Sequence, residues 1–297
     1  MTALHTSGLG KRYRRRPALS DCTLQIPEGR VAGLVGPNGA GKTTLLQLAV
    51  GLLAPTTGAI TVLGGEPAGG PDQLAKVGFV AQDTPVYAGL SVADHLRLGA
   101  HLNPGWDDSY AQHRIDRLRF DPAQRAGKLS GGQRAQLALT LAIAKRPRLL
   151  ILDEPVASLD PLARREFLQD LMEAVADQEI SVILSSHLVA DLERVCDYLV
   201  VLAASRVQIA GDVDALLASH HRLIGARRDE ASLPGDQQVI HARHTDRQST
   251  LIVHSRRPIL DPAWTVEQLS LEDLVLAYMS QAADAAPGRR PALEVQR

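Results

Sequence analysis

The sequence predicts an α/β fold: a mainly parallel sheet, a smaller N-terminal antiparallel sheet, an inserted helical subdomain and a small C-terminal α+β accessory region. Three observations carry that expectation. Short apolar runs alternate with helical patterns across 149–202, as parallel strands joined by crossover helices require. Residues 4–35 instead alternate apolar and polar side chains around Gly and Pro, as a small antiparallel sheet does. Between them, a glycine-rich loop at 36–43 separates an apolar run, 31–35, from a segment, 44–50, suited to a buried helix.

Taken in order, 19–26 is the clearest period-2 strand, and Val31–Val35 reads as a buried strand leading into the loop. Strands are expected at 58–65 and 77–80. From 88 to 145 the periodicity becomes helical, with runs at 91–102, 109–119 and 131–145 punctuated by Pro104, Gly105 and Asp121-Pro122. This is the inserted helical subdomain. The core resumes with strand 149–152, helix 161–177, strand 181–185, helix 188–197 and strand 198–202. Beyond about 220 the texture changes again. Strands are expected at 239–242 and 250–253, and an amphipathic helix at 265–279 uses Val266, Leu269, Leu274 and Leu276. Residues 282–297 are rich in Ala, Pro, Gly and Arg and are expected to be disordered. The domain boundaries predicted are 1–218 for the main domain, 219–281 for the accessory region and 282–297 for the tail.

Composition narrows the class. The chain has 297 residues, 45% of them hydrophobic, and a formal net charge of −1, which argues against a general nucleic-acid binder. Cys22 and Cys196 lie too far apart in sequence to suggest a disulfide framework or a thiolate metal site. His220, His221, His241, His244 and His254 crowd the C-terminal region without a regular ligand spacing. No signal pattern opens the chain and no window approaches a membrane span, so a cytoplasmic protein is expected. Lys11-Arg12 and Arg14-Arg15-Arg16 read as a solvated loop whose charge also suits an anionic ligand, and Trp106 as local packing.

The loop is Gly36-Pro37-Asn38-Gly39-Ala40-Gly41-Lys42-Thr43, which fits G-x-x-x-x-G-K-[ST] at every fixed position and runs on into Thr44. Its glycines allow a tight turn in which backbone N–H groups converge on anionic oxygens, reinforced by the helix N-terminus. A nucleoside triphosphate is therefore expected here, with Lys42 reaching the β/γ-phosphates and Thr43 ligating Mg²⁺. Asp153 and Glu154 follow the apolar run 149–152, where a parallel strand delivers carboxylates beside that loop. Asp153 is placed to hold Mg²⁺, and Glu154 to orient or deprotonate a water attacking the γ-phosphate.

Leu129-Ser130-Gly131-Gly132-Gln133 then opens a helix, and with this pentapeptide the chain resembles the ATP-binding cassette (ABC) ATPases over about 4–215. The resemblance implies an ABC-type P-loop NTPase core. Ser130, Gly131, Gly132 and Gln133 would face ATP bound by the opposite subunit of a homodimer or heterodimer. Gln82 resembles the Q-loop glutamine, touching Mg²⁺ and sensing a transmembrane partner. Ser158-Leu159-Asp160 resembles the D-loop along the dimer interface, His187 the switch histidine that contacts the γ-phosphate and attacking water, and Tyr13 the aromatic that stacks on adenine. Val156 and Ser158 depart from the frequent Thr and Gly, and neither touches phosphate. The absence of fused membrane spans, long coiled coils or a second cassette points to the ATP-hydrolysing subunit of a transporter with a separate permease, held at the inner face of the membrane. Residues 270–276 resemble the terminal helix of ABC-2-type export ATPases, implying export. The alternative is a non-transport cassette, regulatory or ribosome-associated.

Overall fold

The computed structural model describes residues 1–14, 16–83, 86–229 and 233–285. In chain order the elements are β1 (Thr2–Tyr13), β2 (Arg16–Pro27), β3 (Val31–Val35), α1 (Lys42–Ala49), β4 (Thr57–Val62), α2 (Pro71–Ala75) and β5 (Val77–Val80). The helical insertion contributes α3 (Val92–Leu102), α4 (Asp108–Arg117) and α5 (Gly131–Ala144). The core returns with β6 (Leu149–Asp153), α6 (Pro161–Gln178), β7 (Ser181–Ser186), α7 (Val189–Leu192), β8 (Tyr198–Ala203) and β9 (Arg206–Asp212). The chain then forms α8 (Val213–Ser219), β10 (His220–Ala226), β11 (Gln237–His244), β12 (Gln248–Ser255), β13 (Trp264–Gln268) and α9 (Leu271–Asp284).

The central sheet has the order β5-β6-β7-β3-β8-β9, parallel except for the antiparallel edge strand β9. Its inner strands are buried on both faces, so they read as continuous apolar runs rather than as alternation. Strict period 2 still assigns each side chain to one layer. Leu150, Leu152, Val182, Leu184, Leu199 and Val201 pack with Phe167 and Leu171 of α6 and with Leu274 and Tyr278 of α9. Leu149, Ile151, Ile183, Val200 and Leu202 face the opposite way, onto Leu45, Leu46 and Leu48 of α1 and the small sheet β2-β1-β4. A third apolar cluster, around Val92, Ile115, Phe120 and Leu137, holds the helical insertion together.

The predicted strand at 58–65 is β4, and it completes the N-terminal antiparallel sheet rather than the central one. Three expectations need correction. The helix at 188–197 is the single turn α7. The segment 265–279 is not one helix: Trp264–Gln268 pairs with β10 as a strand, registering Gly225 opposite Trp264 and His221 opposite Gln268. Trp264 is buried against Leu223, Leu251 and Val253, a packing alternative that the spacing of Val266 and Leu269 does not reveal. The helix starts after Ser270, whose hydroxyl accepts from Asp273 N while the Asp273 carboxylate accepts from Ser270 N, a reciprocal cap. Val266 and Leu276 are consequently exposed, whereas Leu269 and Leu274 are buried. The expected disordered tail at 282–297 begins instead as the last turn of α9, through Asp284; residues 286–297 lie outside the described residues.

The second sheet, β11-β12-β10-β13, is joined to the core partly by a buried polar contact. His220, 1% exposed, donates from Nδ1 to Leu216 O at 2.7 Å and accepts at Nε2 from the Tyr278 hydroxyl at 2.9 Å. Its ring lies 4.8 Å from that of His254, the residue directly opposite on β12. Burial, with smaller contributions from His254 and His221, pushes His220 below its ordinary 6.5, against the opposing effect of Leu216 O. The unfolded chain therefore takes up the proton first as pH falls. The stability contributed by neutral His220 is complete above about 6.5 and is lost as pH falls through the lower folded value. Chemical unfolding at a series of pH values from 7.5 to 5 is expected to show declining stability, with a smaller decline in His220→Phe.

Candidate nucleotide-binding site

The site is built where three neighbouring parallel strands end. Register sets Val35 of β3 beside Ser186 of β7, and Ser185 of β7 beside Asp153 of β6. The loop after β3 and the residues after β6 and β7 therefore emerge along one edge, the position at which open α/β sheets bind ligands. The loop closes tightly: Ala40 N donates to Pro37 O at 3.1 Å. Gly36 has no room for a side chain, because a Cβ there would lie 2.0 Å from Leu202 O. Gly41 sits at φ 108°, and a Cβ would approach Ala18 O at 2.5 Å. As the residue preceding α1 it offers no side-chain cap, so the first amides of the helix have no side-chain acceptor.

A cleft of about 450 Å³ opens at this edge, lined by Ala18, Asn38, Gly39, Gly41, Lys42, Thr43, Thr44, Gln82, Glu154 and His187. Lys42 is buried, donating to Gly36 O at 2.8 Å and lying 3.3 Å from Glu154 Oε1. The other carboxylate oxygen, Oε2, accepts from His187 Nδ1 at 2.9 Å. Behind the cleft, the wholly buried Ser185 donates its hydroxyl to Asp153 Oδ1 at 2.8 Å, and Ser185 Oγ in turn accepts from Glu154 N at 2.8 Å. Glu154 itself has φ 45°, a left-handed conformation that is uncommon for a glutamate and is held in place by that amide bond. A buried ammonium, helix N-terminal amides without a side-chain cap, two threonine hydroxyls and two carboxylates form a donor set that fits a triphosphate with a hard divalent cation.

The signature residues stand elsewhere. Ser130, Gly132 and Gln133 line a separate cleft of about 500 Å³ with Arg117, Gln136, Ala163, Glu166 and Asp170, and the two clefts share no lining residue. Ser130 caps α5: its hydroxyl accepts from Gln133 N at 3.2 Å, and Gln133 Oε1 accepts from Ser130 N at 2.9 Å. A Cβ on Gly131 would meet nothing within 4 Å, so this turn faces open space.

Comparison with known proteins places this arrangement. The family profile described as ABC transporter matches residues 19–157. An uncharacterized ABC transporter ATP-binding protein of Bacillus subtilis, YxlF, is 33% identical over 219 residues, 72% of this chain and 72% of that protein. The chain belongs to the ABC transporter ATP-binding family. The thiamine import ATP-binding protein ThiQ of Shigella flexneri is 34% identical over 203 residues, 66% of this chain and 87% of its own. A solved ATP-binding subunit of an ABC transporter superposes with a TM-score of 0.65 at 30% identity, covering 73% of this chain and 92% of that one. CbiO1 of Clostridium perfringens, part of the transporter complex CbiONQ, superposes with a TM-score of 0.62 at 26% identity, covering 73% and 91%. The chain is thus an ABC cassette of the P-loop NTPase fold, and its activity is the ATP hydrolysis that drives transport.

The cassette gathers Asn38, Gly39, Gly41, Lys42, Thr43, Thr44, Gln82, Glu154 and His187 around one cleft, with Gly36, Pro37 and Ala40 shaping the loop and Asp153 directly behind it. It does not bring Tyr13 to the cleft lining; the ring is half-exposed at the end of β1, with Lys11 Nζ 5.6 Å from its centroid. Asp160 caps α6, accepting from Leu162 N and Ala163 N at 3.0 Å each. Sequence reasoning missed Ser185, the hinge between the two carboxylate residues. Its signal was a hydroxyl closing an apolar strand, where a buried polar group needs a partner. Ser185→Ala is expected to cost about 1–3 kcal/mol in chemical unfolding, since it leaves Glu154 N–H and one Asp153 oxygen unpaired. It should lower kcat by about 10–100-fold, as loss of a supporting hydrogen bond behind a site commonly does. Wild-type unfolding and turnover in this variant would overturn that role.

Proposed function

We propose that this chain binds and hydrolyses MgATP as one half of a closed cassette dimer, and that dimer closure powers a separate transmembrane permease. The observation that supports it best is the division of polar groups between two clefts: Lys42, Glu154 and His187 in one, Ser130 and Gly132 in the other. A head-to-tail pair lets the second cleft of one copy complete the first cleft of the other, so bound ATP serves as the contact between subunits. On this reading Lys42 and the amides of 39–43 neutralise the phosphates, and Asn38 and Thr44 line their approach. Thr43, Gln82 and Asp153 would hold Mg²⁺, which when bound would draw negative charge from the phosphates. Glu154 accepts the proton of the attacking water, and His187, bonded to Glu154 Oε2 at 2.9 Å, orients that carboxylate and then the γ-phosphate. Ser130, with the amides of Gly131, Gly132 and Gln133, supplies the trans anion site, and Asp160 sets the start of α6 along the interface. Tyr13 contributes adenine stacking.

The Lys42–Glu154 contact is meaningful in that scheme. Lys42 Nζ lies 3.3 Å from Glu154 Oε1. Phosphate oxygens would compete for Lys42 and release Glu154 toward water, so substrate itself frees the base. We propose 1–218 as the cassette and 219–281 as an accessory region, consistent with the second sheet being confined to the latter. Among the described residues no helix is long and apolar enough to cross a membrane. The permease supplies the membrane span, and the cassette sits at the cytoplasmic face through it. Export rests on residues 270–276 alone, and the thiamine-import relatives give that direction no support.

Glu154→Gln is expected to reduce phosphate release by about 100-fold or more, the usual weight of a general base. The same variant should accumulate an ATP-dependent dimer in light-scattering chromatography, and normal turnover would remove Glu154 from the role of base. Tagged Glu154→Gln incubated with native membranes and MgATP should co-purify a polytopic protein. Ribosomal or other non-membrane partners alone would leave the ATPase and overturn the permease.

A further inference from the structure

The cleft beside the signature turn has a buried polar triangle for its floor. Asp170 of α6 and Gln136 of α5 belong to the lining, and Arg114 of α4 joins them without reaching it. All three side chains are buried. Arg114 engages both oxygens of the carboxylate, Nη1 lying 2.9 Å from Oδ1 and Nη2 donating to Oδ2 at 3.1 Å. Gln136 closes the triangle: its Nε2 donates to Asp170 Oδ2 at 2.7 Å, and its Oε1 accepts from Arg114 Nη2 at 2.8 Å. Arg117, half-exposed on the same helix, adds a second cation at Asp170 Oδ1 and pairs with Glu173. One carboxylate of the core thus gathers donors from two helices of the insertion.

The helices it joins begin at the two turns on which the dimer contact rests. Helix α5 starts at Ser130, whose hydroxyl caps it, and α6 starts at Asp160. The two starts pack closely, since a Cβ on Gly132 would lie 3.3 Å from Ala163 Cβ. Gln136 follows Gly132 by about one helical turn and shares its face. Ala135, Leu139 and Phe167 lie in one apolar cluster, which draws α5 and α6 together but has no direction. A bidentate guanidinium with a closing amide does have one. For adhesion alone, an apolar trio of equal volume would serve as well or better, because taking two charges out of water commonly costs more than their attraction returns.

Resting on the dimer reading above, we propose that Asp170 is a positioning residue for the trans half of the ATP site. Through Arg114 and Gln136 it holds the signature turn at the angle to α6 from which Ser130 and Gly132 meet ATP bound by the opposite copy. The phosphate-loop cleft has none of these residues in its lining, so ATP binding by a single chain does not depend on the triangle. Closure and turnover do.

The full-length chain carrying Arg114→Met together with Asp170→Leu loses both buried charges at once and keeps the space filled, so no ion is left unpaired. Its unfolding midpoint is expected to equal or exceed that of the unsubstituted chain. Affinity for a fluorescent ATP analogue, read at chain concentrations too low for dimers, should be unchanged. Its kcat should fall about 10–100-fold, the usual weight of a misplaced group, and in the Glu154→Gln background the ATP-dependent dimer should weaken by a similar factor. Gln136→Met leaves the ion pair in place and should show the same split on a smaller scale; its result decides if the double variant does not fold. Full turnover and dimer formation in these variants would overturn the role of Asp170 and leave the dimer reading intact. So would a fall in turnover matched by a fall in single-chain ATP affinity. If Glu154→Gln alone forms no ATP-dependent dimer, both the role and the dimer reading fall.

Discussion

The hydroxyl of Ser185 is the contact on which the catalytic edge depends. It joins the Asp153 carboxylate and the Glu154 amide across two strands, at 2.8 Å in each case, with no solvent access. Asp153 must end a strand and Glu154 must leave it at φ 45°, a conformation L-residues seldom adopt. Without an acceptor for that turned amide, the carboxylate of Glu154 has no reason to swing between Lys42 and His187. The parallel register of β6, β7 and β3 is what brings the acceptor there, so a local strain is secured by a non-local pairing.

The same sheet explains why the C-terminal region is more than an appendage. Its four strands form a sheet of their own, yet Ile240, Ile252, Leu274 and Tyr278 share one apolar cluster with Phe167 and Val201 of the cassette. Helix α9 is thus a covering layer for the central sheet, capped at Ser270 and tied to β10 through Tyr278 and His220. A buried histidine in that join makes the attachment dependent on pH, because one proton changes an acceptor into a donor.

Charge is distributed with similar economy. Asp170, on α6, accepts from Arg114 at 3.1 Å and from Gln136 at 2.7 Å, and also pairs with Arg117, linking the helical insertion to the core beside the signature turn. Lys42 borrows Glu154. Lys145, half-buried, donates instead to a backbone carbonyl, Val77 O, at 2.9 Å.

Much of this was legible from the chain alone. The phosphate loop, the LSGGQ turn and the Asp-Glu pair are contiguous, and their chemistry is set by residue type and spacing, so Lys42, Glu154 and Ser130 could be named before any coordinates. The parallel strands declared themselves as apolar runs because both of their faces are covered. Tertiary structure decided the rest. Trp264–Gln268 carries a spacing compatible with a helix and becomes a strand because β10 offers an unpaired edge and an apolar slot for Trp264. Ser185 looks ordinary in sequence, since the need of a buried hydroxyl for a partner exists only once other elements have removed the water around it. Residue identity determined which chemistry is available here; the exclusion of water by packing decided which of those groups had to find partners.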